Sequence, residues 1–116
     1  MPKGAMNNRV YLNDIHAAIQ KIEQYLQGTD YTAFTKNTEK QDAIIRNLEI
    51  IGEASKRLPQ EHKAKHSEIE WPKITGLRDI LIHDYSRINL KIIWDAVTGK
   101  LAGLKTCIEA MLKETP

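Results

Sequence analysis

The residues with chemical potential lie in one stretch, Gly76-Leu77-Arg78-Asp79-Ile80-Leu81-Ile82-His83-Asp84-Tyr85. Asp79 and His83 are four residues apart, so on a helix they face the same way. A carboxylate beside an imidazole fixes its tautomer and raises its pKa, which suits a histidine that exchanges a proton near neutral pH. Arg78 supplies a permanent cation that can hold a phosphate. It precedes His83 by five residues, about 140° round a helix, so the two do not converge within one chain. Convergence requires the helix end to unwind, or a second copy to present its own Arg78 and His83 across a twofold cleft. Gly76 leaves room beside His83, and Tyr85 falls near the mouth of such a cleft. Taken on spacing alone, the same residues also describe an ion-paired surface patch.

Other chemistries are poorly represented. There is no glycine-rich phosphate loop and no glycine-flanked serine nucleophile. His62 and His66 are four apart but sit in a lysine-rich connection without a third ligand, so they are expected to face solvent and no metal or other cofactor is expected. His16 borders an apolar helix face and reads as a packing residue. The single cysteine, Cys107, can form neither an internal disulfide nor a cysteine-based zinc site, and reads as a small apolar filler compatible with a reducing cytoplasm.

The elements that must position this stretch are helices. The 116 residues, 41% hydrophobic and 28% charged, suffice for one modest core and are too few for two domains. No apolar run approaches the roughly 18 residues that span a bilayer, so no membrane partner is expected. A net charge of +2 excludes a general basic coat, so any nucleic-acid contact must be local.

Tyr11, Leu12, Ile15, Ala18, Ile19, Ile22, Tyr25 and Leu26 recur at helical spacing, predicting a first helix from about Asn8 to Gln27, ended by Gly28. Tyr31 and Phe34 anchor the polar link that follows, and Thr38 with Gln41 has the spacing of a capping box. The second helix, Glu39 to about Leu58, carries an apolar arc of Ala43, Ile44, Ile45, Leu48, Ile50, Ile51 and Ala54 that covers more than half its circumference. So wide an arc suggests the bundle core on one side and a second subunit on the other. Asp42, Arg46, Glu49, Glu53 and Arg57 share the remaining strip, most simply a solvated face with helix-spaced ion pairs. Asn47 interrupts the arc and must find a hydrogen-bond partner, either as a structural device or as part of a site.

Pro59 closes this helix, and Gln60 to Glu70 is a polar connection with about one helical turn. A third helix is predicted from Pro72 to about Asp84, and a single last helix from Leu90 to Leu112 with Asn89 as its N-cap. The expected fold is all-α, an antiparallel four-helix-type bundle that forms a homodimer.

Arg78, four intervening residues, His83, one residue and Tyr85 resemble the signature of HEPN domains. The surrounding text resembles the HepT-like ribonuclease toxins: Arg9-Val10-Tyr11-Leu12, the block from Gln41 through Arg46 and Asn47 to Ala54, Trp71, and Gly76 to Tyr85. The similarity spans nearly the whole chain from about Asn8. Residues 1–7 are therefore read as an N-terminal extension or expression remnant ahead of one domain over residues 8–114.

The resemblance implies a cytoplasmic homodimer that cleaves RNA without a metal, with Arg78 and His83 of both chains lining a shared cleft. His83 would handle the proton of a ribose 2′-hydroxyl or of the leaving oxygen, and Arg78 would stabilise charge on the scissile phosphate. It also implies a toxin of the type VII-like class, paired with a nucleotidyltransferase antitoxin that attaches AMP to Tyr85. Arg46, Asn47 and Asp79 match recurrent polar positions and would support the site. Two alternatives stand beside this: a non-catalytic nucleotide-binding or adaptor module that docks the nucleotidyltransferase, and a restraint on a toxic nucleotidyltransferase.

Overall fold

A computed structural model describes residues 3–83 and 89–114, with side chains from Asn8 onward. All of the described regular structure is helical: α1 Lys3–Leu26, α2 Tyr31–Thr35, α3 Thr38–Arg57, α4 Gln60–Ala64, α5 Trp71–His83, α6 Leu90–Gly99 and α7 Leu101–Glu114. The fold is an all-α bundle. In it α3 packs on α1, α2 and α5, while α7 packs on α1 and α6.

Each helix buries the stripe its periodicity marks. Leu12, Ile15, Ile19 and Ile22 of α1 are fully buried, and they meet Ile44, Ile45, Leu48 and Ile51 of α3 and Leu104, Ile108 and Met111 of α7. The first helix begins at Lys3, upstream of the expected start at Asn8, and ends where Gly28 turns the chain with φ +67°. Phe34 anchors the short α2, fully buried with its ring 5.3 Å from that of Trp94.

Three expectations are corrected. The cap of α3 is Asn37, whose side chain accepts from Lys40 N at 2.9 Å, and not a Thr38–Gln41 box. Gln41 instead donates Nε2 to Phe34 O at 2.8 Å, tying α3 to the end of α2. The expected single last helix is two. α6 stops at Gly99, a poor helix former, and Lys100 caps it by donating its N–H to Ala96 O before α7 begins at Leu101. The apolar stripe runs through both segments, so periodicity alone did not mark the break. Finally, the wide arc of α3 is covered within the chain by α1 and α5, so its breadth does not by itself call for a second subunit.

Candidate functional site

The site starts from a missing side chain. Gly52 is buried where α5 crosses α3, and a Cβ placed there would overlap Arg78 Cβ and lie 2.8 Å from Arg78 Cγ. Glycine lets the two helix backbones approach, and the approach carries the Arg78 stem across α3. Its guanidinium then meets carboxylates on both sides. Nη2 reaches Glu53 Oε2 at 2.9 Å and Nη1 reaches Asp79 Oδ1 at 3.0 Å, while the buried Nε–H has no acceptor among the described residues. The Arg78 side chain is 20% exposed, so the forked cation keeps an edge toward solvent.

Glu53 is shared. Its other oxygen, Oε1, accepts from Arg57 Nε at 3.1 Å along α3, so one carboxylate holds two guanidinium groups. Contact with Glu53 first, and with Tyr11 second, keeps the Arg57 pKa above its ordinary value. Tyr11, Glu53, Lys56, Arg57 and Arg78 line an open cavity of about 480 Å³. Its three cations outnumber the carboxylates that hold them, Glu53 in the lining and Asp79 beyond Arg78, which leaves it locally basic although the whole chain is near neutral. Such a pocket suits a phosphate.

His83 is the last residue of α5 and is exposed. Around it α5 presents Ile80 and Ile82, which are 53% and 42% exposed. Ile80 also lines an apolar groove of about 800 Å³ with Ile74, Leu77, Ile92 and Ala96 among its walls. The helix therefore carries Arg78 to the polar cavity on α3 and Ile80, about 160° round from it, to a different side.

The remaining expected site residues divide. Asp79 is exposed and its described partner is Arg78. Arg46 is exposed and lies 3.7 Å from Glu49, and Asn47 is buried, donating Nδ2 to Ala43 O at 2.9 Å on its own helix. Among the described residues, their hydrogen bonds go elsewhere than to Arg78 or His83. Tyr85 and Asp84 lie outside the described residues.

Glu53, Gly52, Lys56 and Tyr11 were not singled out as site residues from the sequence. An unexplained glycine in the middle of α3 was the one available signal. One histidine also differs from expectation. His66 is not solvent-facing: its side chain is 12% exposed, with Nδ1 3.5 Å from Glu68 and Nε2 3.3 Å from Glu114. His16 does pack at the α1 edge, and it also bonds Glu109 of α7 at 3.0 Å.

The chain matches the family model described as Ribonuclease HepT-like over residues 15–111. It is 37% identical over 107 residues to a protein of Thermococcus cleftensis named probable ribonuclease HepT, covering 92% of this chain and 97% of that one. A protein of Caldanaerobacter subterraneus subsp. tengcongensis named as a candidate RNase is 36% identical over 106 residues, covering 91% and 95% of the two chains. Another so named, from Methanocaldococcus jannaschii, is 38% identical over 114 residues, covering 98% and 93%. No solved structure matches the chain significantly. Among the described residues, no helix is long and apolar enough to cross a membrane.

Proposed function

The chain belongs to the Ribonuclease HepT-like family, and from that premise we propose that it is an endoribonuclease that cleaves RNA by acid–base chemistry at a cleft shared by two copies. The observation that carries the reading is Arg78, clamped by Glu53 beside a basic cavity, on the same short helix that ends in the exposed His83.

Within one copy the two groups are five residues apart, and the helix separates them by about 140°. A twofold pairing through the end of α5 would cover Ile80, about 60° round the helix from His83, and bring the two His83 side chains together. One imidazole then takes the proton of the ribose 2′-hydroxyl as its oxygen attacks phosphorus. The other gives a proton to the departing 5′-oxygen as the P–O bond breaks, leaving a 2′,3′-cyclic phosphate. Arg78 binds a non-bridging oxygen and stabilises the charge that builds there. Asp79 balances Arg78, with Arg46 and Asn47 in supporting positions on α3. Neither role of His83 needs a metal.

In the same reading the domain is residues 8–114 and the chain is the toxin of a pair. Tyr85 is the acceptor for AMP from a nucleotidyltransferase partner, because a bulky anionic group two residues beyond His83 would repel and block RNA. The test is expression of this chain alone and with its nucleotidyltransferase, each beside His83→Ala. The reading expects growth inhibition by the lone chain only, loss in the variant, and an AMP mass increment confined to Tyr85 on co-expression. Toxicity unchanged in His83→Ala would reject it in favour of an adaptor.

A further inference from the structure

His66, Glu68 and Cys107 converge although they come from two separate parts of the chain. His66 and Glu68 sit in the connection between α4 and α5, and Cys107 is buried in the middle of α7. One ligand atom from each lies within 4.8 Å of the other two. We propose that His66, Glu68 and Cys107 bind a divalent cation of the zinc class, with Glu114 orienting the imidazole.

The donor set suits zinc. An imidazole nitrogen, a carboxylate oxygen and a thiolate are the three ligand types zinc takes, and three protein ligands leave a fourth position for water. The His66 Nδ1 to Glu68 Oε1 separation is 3.5 Å. That is close to the tetrahedral edge of about 3.4 Å set by metal–ligand bonds of about 2.0–2.1 Å. No separation in the set exceeds 4.8 Å, and Glu68, 63% exposed, is free to move.

The other ring nitrogen is held as well. His66 turns Nε2 to Glu114 Oε2 at 3.3 Å, a carboxylate of α7 seven residues beyond Cys107. A metal-binding histidine characteristically donates its second N–H to a carboxylate, which sets its tautomer. The backbone is held in place as well. His66 O accepts from Trp71 Nε1 at 3.1 Å and from Ile69 N at 3.2 Å.

Charge adds to this: Glu68 and Glu114 bring two carboxylates to the same imidazole, an anionic setting that favours a cation. On binding, Cys107 releases its proton to solvent, and one thiolate with one carboxylate neutralises the ion. His66 contributes a neutral Nδ1 lone pair and keeps its Nε2 proton on Glu114.

The site lies before the N-terminal end of α5, whereas His83 closes the other end, about 18 Å along the helix. Its effect would be to clip the α4–α5 connection to α7, and it stands independently of the ribonuclease reading.

The test is titration of the metal-free full chain with Co²⁺, followed by Zn²⁺ competition and thermal melting. One Co²⁺ per chain is expected, with a sulfur-to-cobalt charge-transfer band that zinc bleaches and a higher melting temperature. Cys107→Ser should abolish the band, and His66→Gln and Glu68→Gln should each weaken binding at least tenfold. Circular dichroism checks that the variants remain helical. If Cys107→Ser does not fold, the two glutamine variants still decide. Absence of the band in the wild type, or unchanged affinity in both glutamine variants, would overturn the proposal and leave a buried thiol beside ordinary ion pairs.

Discussion

Gly52 of α3 and Arg78 of α5 are in such close contact that no other side chain fits at position 52. An added Cβ would overlap Arg78 Cβ and lie 3.3 Å from Ile74 O, which belongs to the backbone of α5. Position 52 thus sets both the separation of the two helices and the path of the guanidinium.

Gly52→Ala is expected to push α5 away from α3 and cost about 1–3 kcal/mol, the range for overpacking a close contact. Urea denaturation measures the cost, and RNA cleavage should fall with it because Arg78 moves. A stability equal to wild type would show that α5 yields without strain.

Glu53→Gln separates positioning from folding. Its two ion pairs are partly solvent-exposed, at 40% for Glu53, so stability should change by less than about 1 kcal/mol. Arg78 loses its anchor across the helix interface, and cleavage should drop on the order of ten- to a hundredfold, with kcat affected more than KM. Equal activity would mean that Asp79 alone suffices to hold Arg78.

Phe34→Ala tests the α2 anchor. The ring is fully buried and stacks at a tilt on Trp94, so its removal should cost about 3–5 kcal/mol and lower the melting temperature. A loss under about 1 kcal/mol would show that α2 contributes little to the fold.

Cys107 gives a pH dependence with a definite sign. Its folded pKa is raised from 9.0 to about 11, so the folded state favours the neutral thiol. The associated stability is complete below pH 9 and is lost as pH rises through about 11. In chelator, the wild type should lose more stability between these values than Cys107→Ser, and alkylation of the native thiol at pH 8 should be slow. Rapid alkylation of the native protein would contradict this.

Much of this was legible in residue order. The stripes of α1 and α3, the stop at Gly28 and the Asn89 cap, which accepts from Lys91 N at 2.8 Å, follow from local periodicity and capping chemistry. Arg78 and His83 stood out by their side-chain chemistry, and their role as a pair came from the resemblance to HEPN domains. The partners were not legible, because they lie across helix interfaces. Glu53 reads as one charge in a solvated strip until α5 is laid across Gly52. His66 is short of ligands until α7 brings Cys107 and Glu114 from 41 and 48 residues away. Asn37 and Thr38 are adjacent and both competent to cap, and only backbone geometry chooses between them.

The most direct measurement is cleavage of a defined RNA by purified, mass-verified chain in excess EDTA, beside Arg78→Ala and His83→Ala. The account predicts metal-independent cleavage with 2′,3′-cyclic phosphate ends, reduced by at least a hundredfold in each variant whose dimer and helicity are intact. No cleavage by chain unmodified at Tyr85, or cleavage retained in His83→Ala, would contradict it.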